Sequence, residues 1–188
     1  MMKALAAAAL ALSALLPATE TTIPAPVKFT AFAVDISNTT PRPITTPFDM
    51  TINRWSSDAE RDQLKNILKE RGQDALLSAL QKLPVVGYVN TPGSLRYDVH
   101  FARQRAYGAT GHTILMMTDR PMSAWEAWHQ PRTVQYPFTL IQLQVDKNGK
   151  GVGKASVATK ITEDEDGTVE LENFSSSPVV LNDVHETK

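Results

Sequence analysis

No cysteine occurs anywhere in this 188-residue chain, which removes disulfides, thiolate metal sites, iron–sulfur clusters and cysteine nucleophiles at once. An excess of either charge is lacking too: 19 Lys and Arg stand against 20 Asp and Glu. A chain without a basic field has nothing to gain from counterion release on nucleic acid or from attraction to anionic lipid, so nucleic acid is not an expected partner. Aromatic residues make up only 7% of the sequence, so places where they gather stand out. Long apolar runs are absent except at the start, where Met1–Lys3 is followed by Ala4–Leu16, Ala and Leu broken only by Ser13, and then Pro17-Ala18.

That opening has the three-part pattern of a secretory signal peptide and falls short of the ~20 residues that span a bilayer. The expectation is a signal peptide over 1–18 of bacterial type, a Thr/Pro-rich lead-in over 19–26, and one domain over 27–188. The chain is then exported, periplasmic or extracellular, with no transmembrane segment after cleavage. Lacking disulfides, an exported domain must be held by its hydrophobic core alone.

Along the chain, Val27–Ile36 is β-branched and aromatic and reads as a strand, whereas Pro41, Pro43 and Pro47 mark Ser37–Pro47 as an extended loop. Phe48–Trp55 alternates, with Phe48, Met50, Ile52 and Arg54 on one side, and reads as a second strand. Ser57 and Glu60 form a capping box, Leu64, Ile67 and Leu68 follow on one helical face, and Gly72 supplies a stop. A second helix, Asp74–Leu83, carries Leu76, Leu77, Leu80 and Leu83 on a face suited to packing against a sheet. The period then switches from 3.6 to 2. A hairpin of Val85–Val89 and the Thr91-Pro92-Gly93 turn leads to alternation of Leu95, Tyr97, Val99 and Phe101 with Arg96, Asp98, His100 and, after Ala102, Arg103 on a wet face. Strands follow at His112–Thr118, Thr133–Val145, Ala155–Ile161, Thr168–Phe174 and Val179–Val184. Asp146–Lys154 reads as a hairpin connection; it lacks the first glycine and the Ser or Thr of a phosphate-binding loop, and its fifth and twelfth positions fail a calcium loop. The pattern predicts an α+β or barrel-like domain, mainly antiparallel sheet, with an early helical pair and one short Trp-bearing helix.

The Trp-bearing helix is Ser123–His129, again opened by a capping box (Ser123 and Glu126) and limited by Pro131. Trp125, Trp128 and His129 share one face there, flanked by Arg120 and Arg132. Paired indoles beside guanidinium groups suit a flat ligand or an interface anchor, so these five residues are the candidate binding set. Asp98 beside His100, or Glu126, are the candidate acid–base groups, since a carboxylate next to an imidazole can move protons. The histidines show neither H-x-H nor H-x-x-x-H spacing, so no metal and no cofactor is expected.

Arg54-Trp55-Ser56, Val86-Gly87-Tyr88, Thr91 through Asp98, Thr118-Asp119-Arg120-Pro121 and Tyr136-Pro137-Phe138-Thr139 together resemble small secreted bacterial proteins of unassigned function. That resemblance implies no activity. Lipocalins carry Gly two residues before an N-terminal Trp, where Asn53 stands here, so barrel-like binding enters as an analogy of shape.

Three functions are compatible with these residues. The first is a non-enzymatic exported protein binding a partner protein or small ligand through the Trp125/Trp128 corner. The second is a hydrolase using Asp98 with His100, or Glu126, and the third a structural subunit of an envelope assembly.

Overall fold

The computed structural model describes residues 22–34, 45–93, 95–122, 135–163, 169–173 and 178–187. Nine strands and one helix follow in the order β1 (Val27–Val34), β2 (Thr45–Ile52), α1 (Asp58–Leu80), β3 (Gly87–Asn90), β4 (Tyr97–Tyr107), β5 (Gly111–Thr118), β6 (Phe138–Val145), β7 (Lys150–Glu163), β8 (Val169–Asn173) and β9 (Val179–Thr187). All pairings are antiparallel. The order β6-β5-β4-β3-β2-β1-β9-β7, together with the β6–β7 pairing, closes an eight-strand barrel. β8 stands outside the ring, paired with the far end of β7 from Thr159 to Glu163.

The α+β expectation is thereby corrected. More than half of the described residues are strand, and the expected early helical pair is one continuous element, Asp58–Leu80, in which two helical stretches meet at a kink where Gly72 leaves helical geometry (φ 74°, ψ −171°). The reason is local: Gly tolerates positive φ at no Cβ cost, so it interrupts the helix as its left-handed conformation requires while both leucine runs still follow one wall. Gln73, next to the bend, is fastened to that wall: its side-chain amide donates to Gln135 O (3.1 Å) and accepts from Ile161 N (3.0 Å). The expected Trp-bearing helix, Ser123–His129, lies outside the described residues. Two smaller corrections concern punctuation. Pro47 sits inside β2, opposite Phe32 on β1 and beyond the β3 pairing, which covers only Asp49–Ile52, so that this stretch of β2 has an open edge that tolerates proline. The β6–β7 connection is only Asp146–Gly149; Lys150–Lys154 already belong to β7.

Alternation decides what fills the barrel. Phe29, Ala31, Phe48, Met50, Ile52, Val89, Tyr97, Val99, Ile114, Met116, Ile141, Leu143 and Leu181 all point inward and are buried. Each large apolar side chain taken from water contributes about 1.5–3 kcal/mol, and an eight-strand ring is just wide enough for such side chains to fill. Lys28, Asp49, Lys150 and Lys154 on the outside are exposed, the reverse of the polarity of a membrane-spanning barrel. Among the described residues no helix is long and apolar enough to cross a membrane.

A second core lies between the wall and α1. Leu64, Leu68, Leu76 and Leu80 cover Phe101, Met117, Phe138, Leu140 and Ile161. Three register shifts bend the wall: at His100 in β4, in β7 opposite Phe138–Leu140, and in β9 where Asp183 takes φ 50°. Where β6, β7 and β9 meet, a Cβ on Gly151 would stand 1.8 Å from Gln144 O, so only glycine permits that approach.

Candidate functional site

The two ends of the barrel are built differently. At the end formed by the start of β1 and the close of β2, the segment before β1 acts as a plug. Ile23 N donates to Gln104 Oε1 (2.8 Å), Gln104 Nε2 donates back to Ile23 O (2.8 Å), and Trp55 Nε1 donates to the same carbonyl (2.8 Å). The chain between β2 and α1 braces this end. Arg54 grips Glu60 through two hydrogen bonds (3.0 and 2.7 Å), Ser56 Oγ accepts from Ala102 N (3.1 Å), and Ser57 and Glu60 complete the capping box. The Arg54 guanidinium, reinforced by the Ser57 amide, pulls the Glu60 carboxyl down to about 2.

The opposite end gathers charge. β3 and β4 pair with Tyr88 opposite Asp98, and β4 and β5 with Val99 opposite Thr118, so Arg96, Tyr97 and Asp98 come beside Asp119 and Arg120. The Arg120 guanidinium lies 4.6 Å from the ring centroid of Tyr97, itself 1% exposed, and its Nη2 donates to Arg96 O (2.9 Å). The Arg120 carbonyl is held from the other side. Thr118 Oγ1 donates to it (2.6 Å), and the Thr139 hydroxyl, between Arg120 O (3.1 Å) and Val157 O (2.9 Å), can donate to one of them at a time. Both threonines are fully buried. Two residues on, Met122 N donates to Val157 O (3.1 Å) and the Met122 side chain enters the barrel core. Arg96 lies over the Tyr88 ring (5.1 Å) and pairs with Asp98 through Nε (3.2 Å).

His100 does not share a solvated face with its strand neighbours, as alternation predicts. It is the extra residue of the β4 bulge, and the bulge turns it under the end of α1, where it is 8% exposed. Its Nδ1 lies 3.0 Å from Leu83 O; a carbonyl only accepts, so Nδ1 carries a proton and Nε2 is the nitrogen that faces Asp119 Oδ1 at 3.9 Å. That gap is too long for a direct hydrogen bond and wide enough for a bridging water. No hydrogen bond or ion pair joins His100 to Asp98, whose carboxylate belongs to Arg96.

Of the candidate residues, Asp98, His100 and Arg120 lie at this end, but no hydrogen bond or ion pair among the described residues joins them: Asp98 pairs with Arg96, His100 turns to Leu83 O, and Arg120 rests on Arg96 O and Tyr97. Trp125, Glu126, Trp128, His129 and Arg132 lie outside the described residues. Sequence reasoning overlooked Tyr97 and Tyr88 as seats for the two arginines, and Thr118 and Thr139 as the clamp on Arg120. A signal for them existed: once Val99 is set opposite Thr118, antiparallel counting places residue 97 opposite residue 120. Among the described residues no group of three or more His, Asp or Glu side chains gathers as a metal site. No protein-family model, no curated protein and no solved structure matches the chain.

Proposed function

We propose that this chain is an exported, non-enzymatic binding protein that takes a small ligand or a partner segment at the charged end of the barrel. One observation carries the reading: the barrel interior is filled by its own side chains, while charged and aromatic groups concentrate at one end. With the inward side chains occupying the barrel interior, in contrast to the lipocalin analogy, a ligand would meet Arg120, Arg96 and Tyr88 from outside, the buried Tyr97 ring seating Arg120 from beneath. The Trp125/Trp128 segment continues from Met122, which is anchored at this same end, and would add the indole faces that a rigid contact needs. Export rests on the Met1–Ala18 pattern.

The export half is tested by N-terminal sequencing of the processed protein, which should start near Thr19; retention of Met1 in the exported form, or no export, would overturn it. The binding half is tested on the full processed chain with a panel of sugars, aromatic acids and short peptides, read by thermal shift and indole fluorescence. At least one class should raise Tm, and Trp125→Ala with Trp128→Ala should remove that effect while unfolding stays cooperative. A panel without any shift or quenching would overturn the reading.

A further inference from the structure

The least explained charge in the molecule is Arg120. An arginine on a protein surface ordinarily keeps its rotamer freedom, and its charge is met by water or by a nearby carboxylate. Arg120 is half-buried; its backbone carbonyl accepts from the buried Thr118 hydroxyl, with Thr139 Oγ1 also in reach, and its side chain is held at two points, Nη2 on the Arg96 carbonyl and the guanidinium over the Tyr97 ring. It has no ion pair with any described carboxylate. Of the acids around it, Asp98 pairs with Arg96 (3.2 Å), and Asp119 faces His100 across 3.9 Å. The tyrosine beneath it is itself held immobile in the core. So the ordering of the side chain has been accomplished by neutral groups, and the fork of N–H donors not used on Arg96 O remains for something else.

Planar N–H pairs of this kind match the two oxygens of a carboxylate or a phosphate, and a guanidinium already held in place loses little entropy when it binds them. We infer that Arg120 is the recognition point for an oxyanion group on the ligand, the class being a carboxylate or phosphate ester. This inference rests on the binding reading above and specifies its ligand chemistry. The neighbouring Arg96, with one nitrogen on Asp98, would enlarge the positive field without being required for the fork.

The test uses the full processed chain, 15N-labelled, titrated with sodium phosphate and separately with sodium acetate at constant ionic strength. The Arg120 Nε–Hε resonance, assigned by its loss in Arg120→Lys, should move and saturate with at least one anion. Response to phosphate alone assigns a phosphate group, and response to acetate alone a carboxylate. Backbone amides of Tyr97 and Met122 should follow the same curve, and Arg120→Lys, which keeps the charge but not the fork, should weaken it about tenfold. Arg120→Gln should abolish it, whereas Arg105→Gln at the other end of β4 should leave it unchanged. Shifts that never saturate, or that are the same in Arg120→Lys, would overturn the inference. Should Arg120→Gln fail to fold, Arg120→Lys still decides. If a member of the ligand panel binds Arg120→Gln as well as it binds the native chain, the binding reading stands and the oxyanion inference falls; if neither anions nor panel bind, both fall.

Discussion

One end of this barrel is closed by its own chain and the other by charged side chains, and the two solutions have different physical characters. At the plugged end, neutral groups satisfy one another: Gln104 and Trp55 meet both backbone groups of Ile23, and the charges nearby, Arg54 and Glu60, are neutralised as a bidentate pair. At the other end, the Tyr97 ring and the Arg96 carbonyl hold the Arg120 guanidinium, Thr118 and Thr139 hold its backbone carbonyl, and no described carboxylate pairs with its charge. Groups that finish their hydrogen bonding internally stabilise a fold. Groups that are ordered and left unfinished are where a fold is prepared for a partner.

The strongest way to break this contrast is Tyr97→Ala. Tyr97 is both a core side chain and the seat of Arg120, so truncation should lower stability by about 3–5 kcal/mol, as for other large core aromatics, and free the Arg120 side chain. Chemical denaturation gives the first quantity and the Arg120 Nε–Hε line width the second. A loss below about 1 kcal/mol would mean that the barrel end is not packed as described. At the plugged end, Gln104→Ala removes two hydrogen bonds and strands Ile23 N–H, for an expected loss of about 1–3 kcal/mol. Amide exchange should then accelerate at Ile23 and stay unchanged at Met122, which would confirm that the ends are independent.

Acid should act on the plugged end through Glu60. The Glu60 carboxyl is held down to about 2 by the Arg54 guanidinium, whereas in the unfolded chain it titrates near an ordinary ~4.3. A depressed folded value means that the stability from this pair is fully present above that unfolded value and is lost as pH falls through the window down to about 2. Arg54 is 41% exposed, so solvent screening reduces the effect to about 1–2 kcal/mol. Glu60→Gln should flatten the stability–pH curve between pH 4.5 and about 2 and cost a similar amount at neutral pH. An unchanged slope in that variant would show the pair to be energetically silent.

How much of this was legible in the sequence follows from how local each feature is. The capping box at Ser57 and Glu60, the inward set Phe48, Met50 and Ile52, and the leucine stripe depend on spacing within one element, and spacing is what a sequence displays. Closure of the ring was not legible, because it rests on β7 serving β6 on one side and β9, then β8, on the other, and because Gly151, read as part of a turn, is the residue that lets strands approach. His100 illustrates the limit most clearly. Strict alternation puts it on a wet face with Asp98, yet one inserted residue in β4 carries it under α1 to Leu83, and no local pattern announces that bulge. The Arg120 corner needs register as well as alternation, since its parts come from β4, β5 and β6.

The smallest expected effect sets two histidines against each other. His100 and His112 lie on neighbouring strands and are almost equally buried, at 8% and 6% exposed. His100 has a carbonyl on one nitrogen and a carboxylate facing the other. His112, on the inward face with Ile114 and Met116 at the plugged end, makes no hydrogen bond among the described residues, so its imidazole forgoes water without a replacement. An apolar side chain of similar size should therefore be tolerated better than the histidine: His112→Leu is expected to raise stability by about 1 kcal/mol, and His100→Leu, which leaves Leu83 O without its donor, to lower it by a similar amount. Denaturation midpoints of the two variants at pH 7 make the comparison directly. If both lose stability, His112 has a partner in water that the plugged end retains, and the neutral end would not be complete on protein groups alone.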